Sequence, residues 1–306
     1  MDYKKKISVV VPLGYNREIL VEKSLKKNKV SFFVEQGQNP SANRNRGLEK
    51  AKTPLIGFVN AHTILTNNWA KEVVEFFLKY PDVDIVGGPQ LTKEDENLFA
   101  KASGYALSSA FGTANLRDRY RSSKVNLHAT EKEITLANLI CKREVLKNLR
   151  FDEKLYPGED VRFIHKAENS GFRIAYSPDI IVYNTRRKQV GGFYGLIKQI
   201  FNYGRVRPRL EGLNKIAKKP LFLIPTLFLS YLLFLPLLTT INTLFLLPLL
   251  AYIILDIFFS FYESIKNNNL KAFCLLPFIF PTIHITYGIG FLYGFITNTT
   301  ALVGKR

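Results

Sequence analysis

"LIGFVNAHTIL", residues 55–65, runs five strand-like apolar residues into Asn60 and His62 before apolar residues resume. A short apolar run bounded by polar residues reads as a buried strand, here ending in an amide and an imidazole one residue apart. Upstream lie "ISVVVP" (7–12), a charged amphipathic run over 17–27, "VSFFVE" (30–35) and a polar helix over 41–52. Strands alternating with helices in this way predict β-α units that feed a parallel sheet. Downstream, "NNWAKEVVEFFLKYP" (67–81) predicts an amphipathic helix closed by Pro81, and "VDIVGGP" (83–89) predicts a strand closed by glycines. From Gln90 to Glu133 the pattern loosens into a polar, tyrosine-bearing insert. Ligands of open α/β sheets bind outside the carboxyl ends of the strands. Asn60 and His62 sit at such an end, as do Gly14 to Asn16 and Glu35 to Asn39, so three strand ends face one crevice.

The apolar fraction of 47% is unevenly spread over the 306 residues, and the composition changes near residue 220. Three runs follow: "PLFLIPTLFLSYLLFLPLLTT", "INTLFLLPLLAYIILDIFFSFYE" and "AFCLLPFIFPTIHITYGIGFLYGFIT". Each has about the 20 residues that span a bilayer. They predict membrane helices at about 220–239, 241–262 and 272–297 within a membrane region 220–298. Pro225, Pro236, Pro248, Pro277 and Pro281 weigh against soluble helices, whereas membrane helices tolerate proline.

The formal net charge is +18, and residues 185–219 alone contribute +9 through Arg186, Arg187, Lys188, Lys198, Arg205, Arg207, Arg209, Lys215, Lys218 and Lys219 against Glu211. A basic block beside a membrane helix fits anionic lipid head groups rather than nucleic acid. Gly191 to Tyr203 adds apolar side chains among Lys198 and Gln199, which predicts a helix in the membrane surface within an amphipathic segment 189–219. Basic flanks before the first span and at Lys266 and Lys271, with none in the "TTINT" connection, predict an integral membrane protein whose N-terminal domain is cytoplasmic. Lys305 and Arg306 at the far end run against that pattern. "MDYKKKISVVVPLG" lacks a small-residue cleavage pattern and is assigned to a first strand rather than a signal peptide. Cys141 and Cys274 imply no disulfide framework.

A second signal lies in "FDEKLYPGEDVRFIHKAENSG" (151–171), where Gly158, Glu159 and Asp160 open a helix that continues through Val161, Phe163, Ile164 and Ala167. Acids in a first turn suit the helix dipole without any catalytic duty. His128 and His165 are assigned structural roles, Glu131 and Glu133 a solvated turn, and Asp256 in the second apolar run either a function or a structural pairing.

The order of these pieces resembles the inverting GT-A glycosyltransferases of family 2. "VVPLGYN" resembles the opening strand and turn, "NRNRGLEKA" the Arg-Asn-x-Gly helix, "FVNAH" the metal-motif strand, and "FDEKLYPGEDVRF" the acidic motif. "SGFRIAYSPDIIVYN" resembles the closing strands, and "IKQIFNYGRVR" the Gln-x-Phe-x-Tyr-Gly segment of membrane-attached members similar to succinoglycan-type glucosyltransferases. The resemblance implies an α/β fold: a GT-A, Rossmann-like nucleotide-diphospho-sugar transferase domain over 1–188, followed by about three transmembrane helices. It implies Asp160 as the base, with Glu159 orienting the acceptor or setting the local field. It places Pro12, Glu35, Arg44, Asn45, Asn60 and His62 around the donor.

Asn60-Ala61-His62 occupies the place of the family's Asp-x-Asp, and Asn184 that of a metal-approaching histidine. Three outcomes stay open. A divalent cation, manganese or magnesium, is held through His62, Asn60 and Asn184; or Arg187, Arg205 or Arg207 neutralises the diphosphate without metal; or the domain binds without turnover. The expected activity is inverting transfer of a sugar from a nucleotide-diphospho-sugar to a lipid-linked or polyprenyl-phosphate acceptor at the membrane. The alternatives are an inert scaffold that binds nucleotide sugar or a partner enzyme, and a polysaccharide synthase. The synthase is disfavoured because the single tryptophan, Trp69, leaves no Gln-x-x-Arg-Trp run.

Overall fold

The computed structural model describes residues 2–184, 192–216 and 220–297, which form two compact units. The first comprises residues 2–93 and 118–184. Its elements in chain order are β1 (Ile7–Leu13), α1 (Glu22–Lys27), β2 (Ser31–Gln36), α2 (Pro40–Lys50), β3 (Leu55–Val59), β4 (Thr63–Leu65), α3 (Trp69–Lys79), β5 (Ile85–Gly87) and β6 (Gln90–Leu91). The chain then forms α4 (Leu98–Ser108) and α5 (Ala110–Thr113), which belong to the second unit. It returns through β7 (Asn138–Lys142), α6 (Val145–Asn148), α7 (Glu159–Asn169), β8 (Ile174–Tyr176) and β9 (Val182–Asn184).

Six strands form one sheet in the order β2-β1-β3-β7-β5-β8. Strands β2, β1 and β3 are parallel, as the β-α alternation predicts, but β7 runs antiparallel between β3 and β5. The all-parallel expectation is thus corrected at one strand. β7 is reached through the long excursion after β6 rather than through a helical crossover, and only parallel neighbours demand a crossover. The period of two sorts the side chains of β1: Val9 and Val11 join one apolar cluster, and Val10 joins the other. With both faces covered, the central strands read as continuous apolar runs. Trp69 at the start of α3 is fully buried, and its Nε1 donates to Asn138 Oδ1 at 2.9 Å.

The helix expected over 17–27 is shorter than its pattern. Leu20 and Val21 donate their backbone N–H groups to the Ala61 carbonyl at 2.7 and 3.1 Å, so this stretch latches onto the turn after β3 and α1 begins only at Glu22. A second, three-stranded sheet runs β4-β9-β6, with Thr63 opposite Asn184 and Gln90 opposite Val182.

The second unit contains residues 94–117 together with α8 (Gly192–Ile216), α9 (Ile224–Ile241), α10 (Leu247–Lys266) and α11 (Leu276–Thr297). Three helical stretches, Ile224–Ile241, Thr243–Lys266 and Leu276–Thr297, are long and apolar enough to cross a membrane. They fall on the three runs expected, starting a few residues later. α8 packs against α11 through glycines: a Cβ on Gly290 would meet the Phe201 carbonyl oxygen, one on Gly294 that of Arg205, and one on Gly204 that of Tyr287. Such small-residue contacts let helices approach closely inside membranes. The insert expected to be polar is instead helical, and α4 buries Ala100, Ala102, Ser103, Gly104, Ala106 and Leu107.

Candidate active site

The sequence Asn43-Arg44-Asn45-Arg46-Gly47 on α2 ties together the ends of β1 and β2 and the segment that leads into α7. Asn39 caps the helix by accepting from the backbone N–H groups of Ser41 and Ala42. Asn43 Nδ2 donates to the carbonyls of Leu13 and Gly37, fastening the carboxyl ends of β1 and β2. Arg46 donates to the Gln36 carbonyl at 2.9 Å and to Asn43 Oδ1 at 2.7 Å. Gly47 lies so close to β1 that a Cβ would stand 2.3 Å from Val10 Cγ1. Asn45 reaches the other way, donating to the Phe151 carbonyl at 3.0 Å and to Glu153 Oε1 at 2.8 Å while accepting from the Phe151 N–H. Arg44 is buried, and its Nη1 donates to Glu159 Oε1 at 3.1 Å.

That ion pair joins two motifs 115 residues apart. Glu159 is buried in the first turn of α7, and Gly158 precedes it in the left-handed conformation at φ 107°. Burial pushes the Glu159 carboxyl above its usual range; Arg44 pulls it down, and Asp160 adds to the rise. Asp160 is half-buried in the same turn, and its Oδ1 accepts the Val161 N–H at 2.9 Å. Tyr156, just before the acidic turn, is exposed. Desolvation, Glu159 and Asp160 raise the Tyr156 phenol above its usual range, while Arg44 and Arg17 oppose the rise. Arg17 follows the turn after β1. Tyr156 and Arg17 therefore share one electrostatic neighbourhood with Arg44, Glu159 and Asp160, and neither was singled out in the sequence. Their one legible signal was position, Arg17 just after a strand end and Tyr156 just before the acidic turn.

Pro12 and Glu35 stand opposite each other across β1 and β2. Glu35 is buried, and its carboxylate is held by Lys50 at 2.6 Å and by Arg46 at 3.7 Å. At the end of β3 the Asn60 carbonyl accepts from the Thr63 backbone and hydroxyl, closing the turn that carries His62. The pairing of Thr63 with Asn184 brings Asn60, His62 and Asn184 to one end of the small sheet. Asn184 Nδ2 donates to Gln90 Oε1 at 3.2 Å, and Gln90 donates on to Thr135. This donor set is one imidazole and two amides with no carboxylate, and hard divalent cations are held by carboxylate and other oxygen ligands. It does not fit a resident divalent cation, so no step below runs through one.

Arg205 and Arg207 lie on α8 in the second unit, where Arg207 is buried with its guanidinium 4.0 Å from the centre of the Phe222 ring. Arg187 lies outside the described residues. Glu131, expected in a solvated turn, is buried beside Arg119 and stands 3.4 Å from His165 Nε2. The apolar residues flanking that loop, Ala129 and Ile134, pack into the core and carry Glu131 inward with them. Glu133 caps the same turn, accepting from Thr130 N–H and Oγ1. Candidate ligand atoms of Glu131, His165 and Glu168 lie within 4.8 Å of one another.

A mixed α/β sheet, with the ends of β1 and β2 fastened to α2 and the acidic first turn of α7 tied to α2 by a buried arginine, defines the class as an α/β domain with its polar groups gathered at the strand ends. The family model described as Glycosyltransferase like family 2 matches residues 19–201, and the chain belongs to that family. Pre-mycofactocin glycosyltransferase of Mycobacterium tuberculosis is 26% identical over 156 residues, 50% of this chain and 31% of that protein. The minor teichoic acid biosynthesis protein GgaB of Bacillus subtilis is 23% identical over 196 residues, 62% of this chain and 18% of that protein. The chain thus spans less than a third of the length of either relative. Among solved structures, S. aureus TarS 1-349 in complex with UDP aligns with a TM-score of 0.43 and 15% identity, over 94% of this chain and 90% of that one.

Proposed function

We propose that the chain is a membrane-tethered glycosyltransferase that uses a nucleotide-diphospho-sugar and transfers the sugar with inversion. The acceptor is held at the cytoplasmic membrane face and is lipid-linked, in keeping with three helices long and apolar enough to cross a membrane. The observation that carries this proposal is the buried Arg44–Glu159 pair, which fastens the helix bearing Asp160 to the helix that ties the ends of β1 and β2.

In the proposed reaction the acceptor oxygen attacks the anomeric carbon and its proton passes to a carboxylate oxygen of Asp160. The bond from the anomeric carbon to the diphosphate oxygen breaks, and the nucleoside diphosphate leaves with the bonding electrons. A general base in position contributes about 10²–10⁴-fold. Charge gathering on the leaving group needs fixed cations or dipoles. Arg17, at the strand end and close enough to oppose the rise of the Tyr156 phenol, is the cation we assign to it. Glu159 acts as a positioning residue, holding the α7 turn through Arg44.

The neutral Asn60/His62 turn favours one competing function, a domain that binds nucleotide sugar without turnover. Nucleoside-diphosphate release from labelled donors separates the two. Asp160→Asn should lower release by about 10²–10⁴-fold while nucleotide-induced thermal stabilisation persists. Binding without release by the wild-type chain, across uridine and guanosine donors and membrane acceptors, would leave only the scaffold. Unchanged turnover in Asp160→Asn would indicate an already ionised acceptor, such as a lipid phosphate, that needs no base.

A further inference from the structure

The excursion between β6 and β7 is not accounted for by the proposed chemistry. Within the second unit, residues 98–113 read "LFAKASGYALSSAFGT", with Lys101 as the single charge. The 11 residues of α4 are about 16 Å long at 1.5 Å per residue, roughly half of a hydrocarbon core of about 30 Å. That is too short to span and long enough to enter one leaflet and turn.

The tip of the excursion is seated among the membrane helices. The Phe111 ring lies 5.6 Å from Tyr252 and 5.0 Å from Phe259 on α10, and 5.1 Å from both Phe280 and His284 on α11. Phe259 is about 10 Å along α10 from its Lys266 end, and His284 about 12 Å along α11 from its Leu276 end, at 1.5 Å per residue. Both helices therefore place Phe111 well inside the span, on the side of the Lys266 and Lys271 flank.

Irregular backbone at that depth survives only when its polar groups find partners within the protein. Here they do. Ser109 Oγ accepts the Phe111 N–H, Thr113 Oγ1 donates to the Leu107 carbonyl, and Ser108 Oγ donates to the Tyr105 carbonyl. The Phe111 carbonyl accepts from His284 Nε2 at 2.8 Å, which fixes the ring proton on Nε2 and leaves Nδ1 to accept the Tyr252 hydroxyl at 2.8 Å. α10 faces its interior with polar residues, burying Asp256, Ser260, Glu263 and Ser264, while Ile253, Leu255, Ile257, Phe258 and Phe261 are exposed. An outward apolar surface around a polar seam is the pattern of a helix surrounded by lipid.

We infer that residues 98–113 are a re-entrant membrane element, which dips into the leaflet on the Lys266 side, seats its tip against α10 and α11, and returns. The inference rests on the three spans and not on the transferase chemistry, so either can fail alone. Ala110, exposed at the turn beside Phe111, gives the mildest probe. In a Cys274→Ser background, Ala110→Cys and Glu94→Cys are each reconstituted into vesicles and treated with a membrane-impermeant maleimide from both sides. Cys141 is fully buried and serves as the unreactive reference. The expected result is labelling at position 94 at least tenfold faster than at 110. Equal rates would overturn the inference. As an independent readout, Phe111→Trp adds emission to that of Trp69, and the added part should be quenched by chain-brominated lipid and spared by aqueous iodide. Quenching by iodide alone would overturn it as well.

Discussion

Arg44 and Glu159 show what a single residue pair does for this site. Taking two charges out of water costs several kcal/mol per ion, and their mutual attraction offsets this only with good geometry. Arg44→Met should therefore destabilise the chain by about 3–5 kcal/mol, because Glu159 is left buried without its partner. The dependence on pH has a definite sign. The folded Glu159 carboxyl lies above its ordinary value of 4.5, so its contribution to stability is complete below that value and is lost as pH rises through the folded one. Thermal midpoints from pH 4 to 8 should thus show a decline in wild type relative to Glu159→Gln. Arg44→Met should extend the decline to higher pH, because Arg44 holds the Glu159 value down. A wild-type profile parallel to that of Glu159→Gln would refute the assignment. The Asn60/His62 turn carries a second residue-scale expectation. Without carboxylates there, chelator should change nucleotide binding by less than about tenfold, or about 1.4 kcal/mol, whereas an Asn60→Asp, His62→Asp double variant should become manganese-dependent. Titrating nucleotide with and without chelator measures both.

At the scale of elements, the glycines between α8 and α11 set how closely these helices lie. A Cβ on Gly290 would stand 2.2 Å from the Phe201 carbonyl oxygen, and backbone cannot yield as a side-chain tip can. Gly290→Ala should cost about 1–3 kcal/mol in detergent-purified protein, read as a lower unfolding midpoint. Leu233→Ala, on the outward face of α9, should change that midpoint little. Legibility also divides at this scale. β1, β2, β3, α2, α3 and the three spans were readable because their periods of two and 3.6, or their length, reflect what buries them. α4 was not, because its buried residues are mostly small and mixed with serines, and its neighbours are membrane helices that demand no polar opposite face. The reversal of β7 was hidden too, since a strand's sequence does not carry its direction. At the site, Asp160 and Glu159 stood out as acids in a first turn, and Arg44 as part of the α2 motif. Their pairing did not, because nothing local to either residue specifies a partner 115 positions away.

The whole chain carries +18, and its distribution matters more than its sum. Positive flanks orient membrane proteins when they lie in short segments close to the spans. Here the connection between α9 and α10 has no lysine or arginine, while Lys266 and Lys271 bracket the one between α10 and α11. The two connections should therefore lie on opposite sides of the bilayer, with the second on the side of the N-terminal domain. Thr240 and Leu270 are both exposed and mark the two ends of the α9–α11 bundle. In a Cys274→Ser background, Thr240→Cys should react with an impermeant maleimide added to intact cells, and Leu270→Cys only after the cells are permeabilised. The reverse order would put the proposed active site on the outer face, where nucleotide-sugar donors made in the cytoplasm do not reach it, and would sink the transferase proposal together with the orientation. Labelling of both sites in intact cells would mean that α10 does not cross, and would remove the depth on which the re-entrant placement of Phe111 depends.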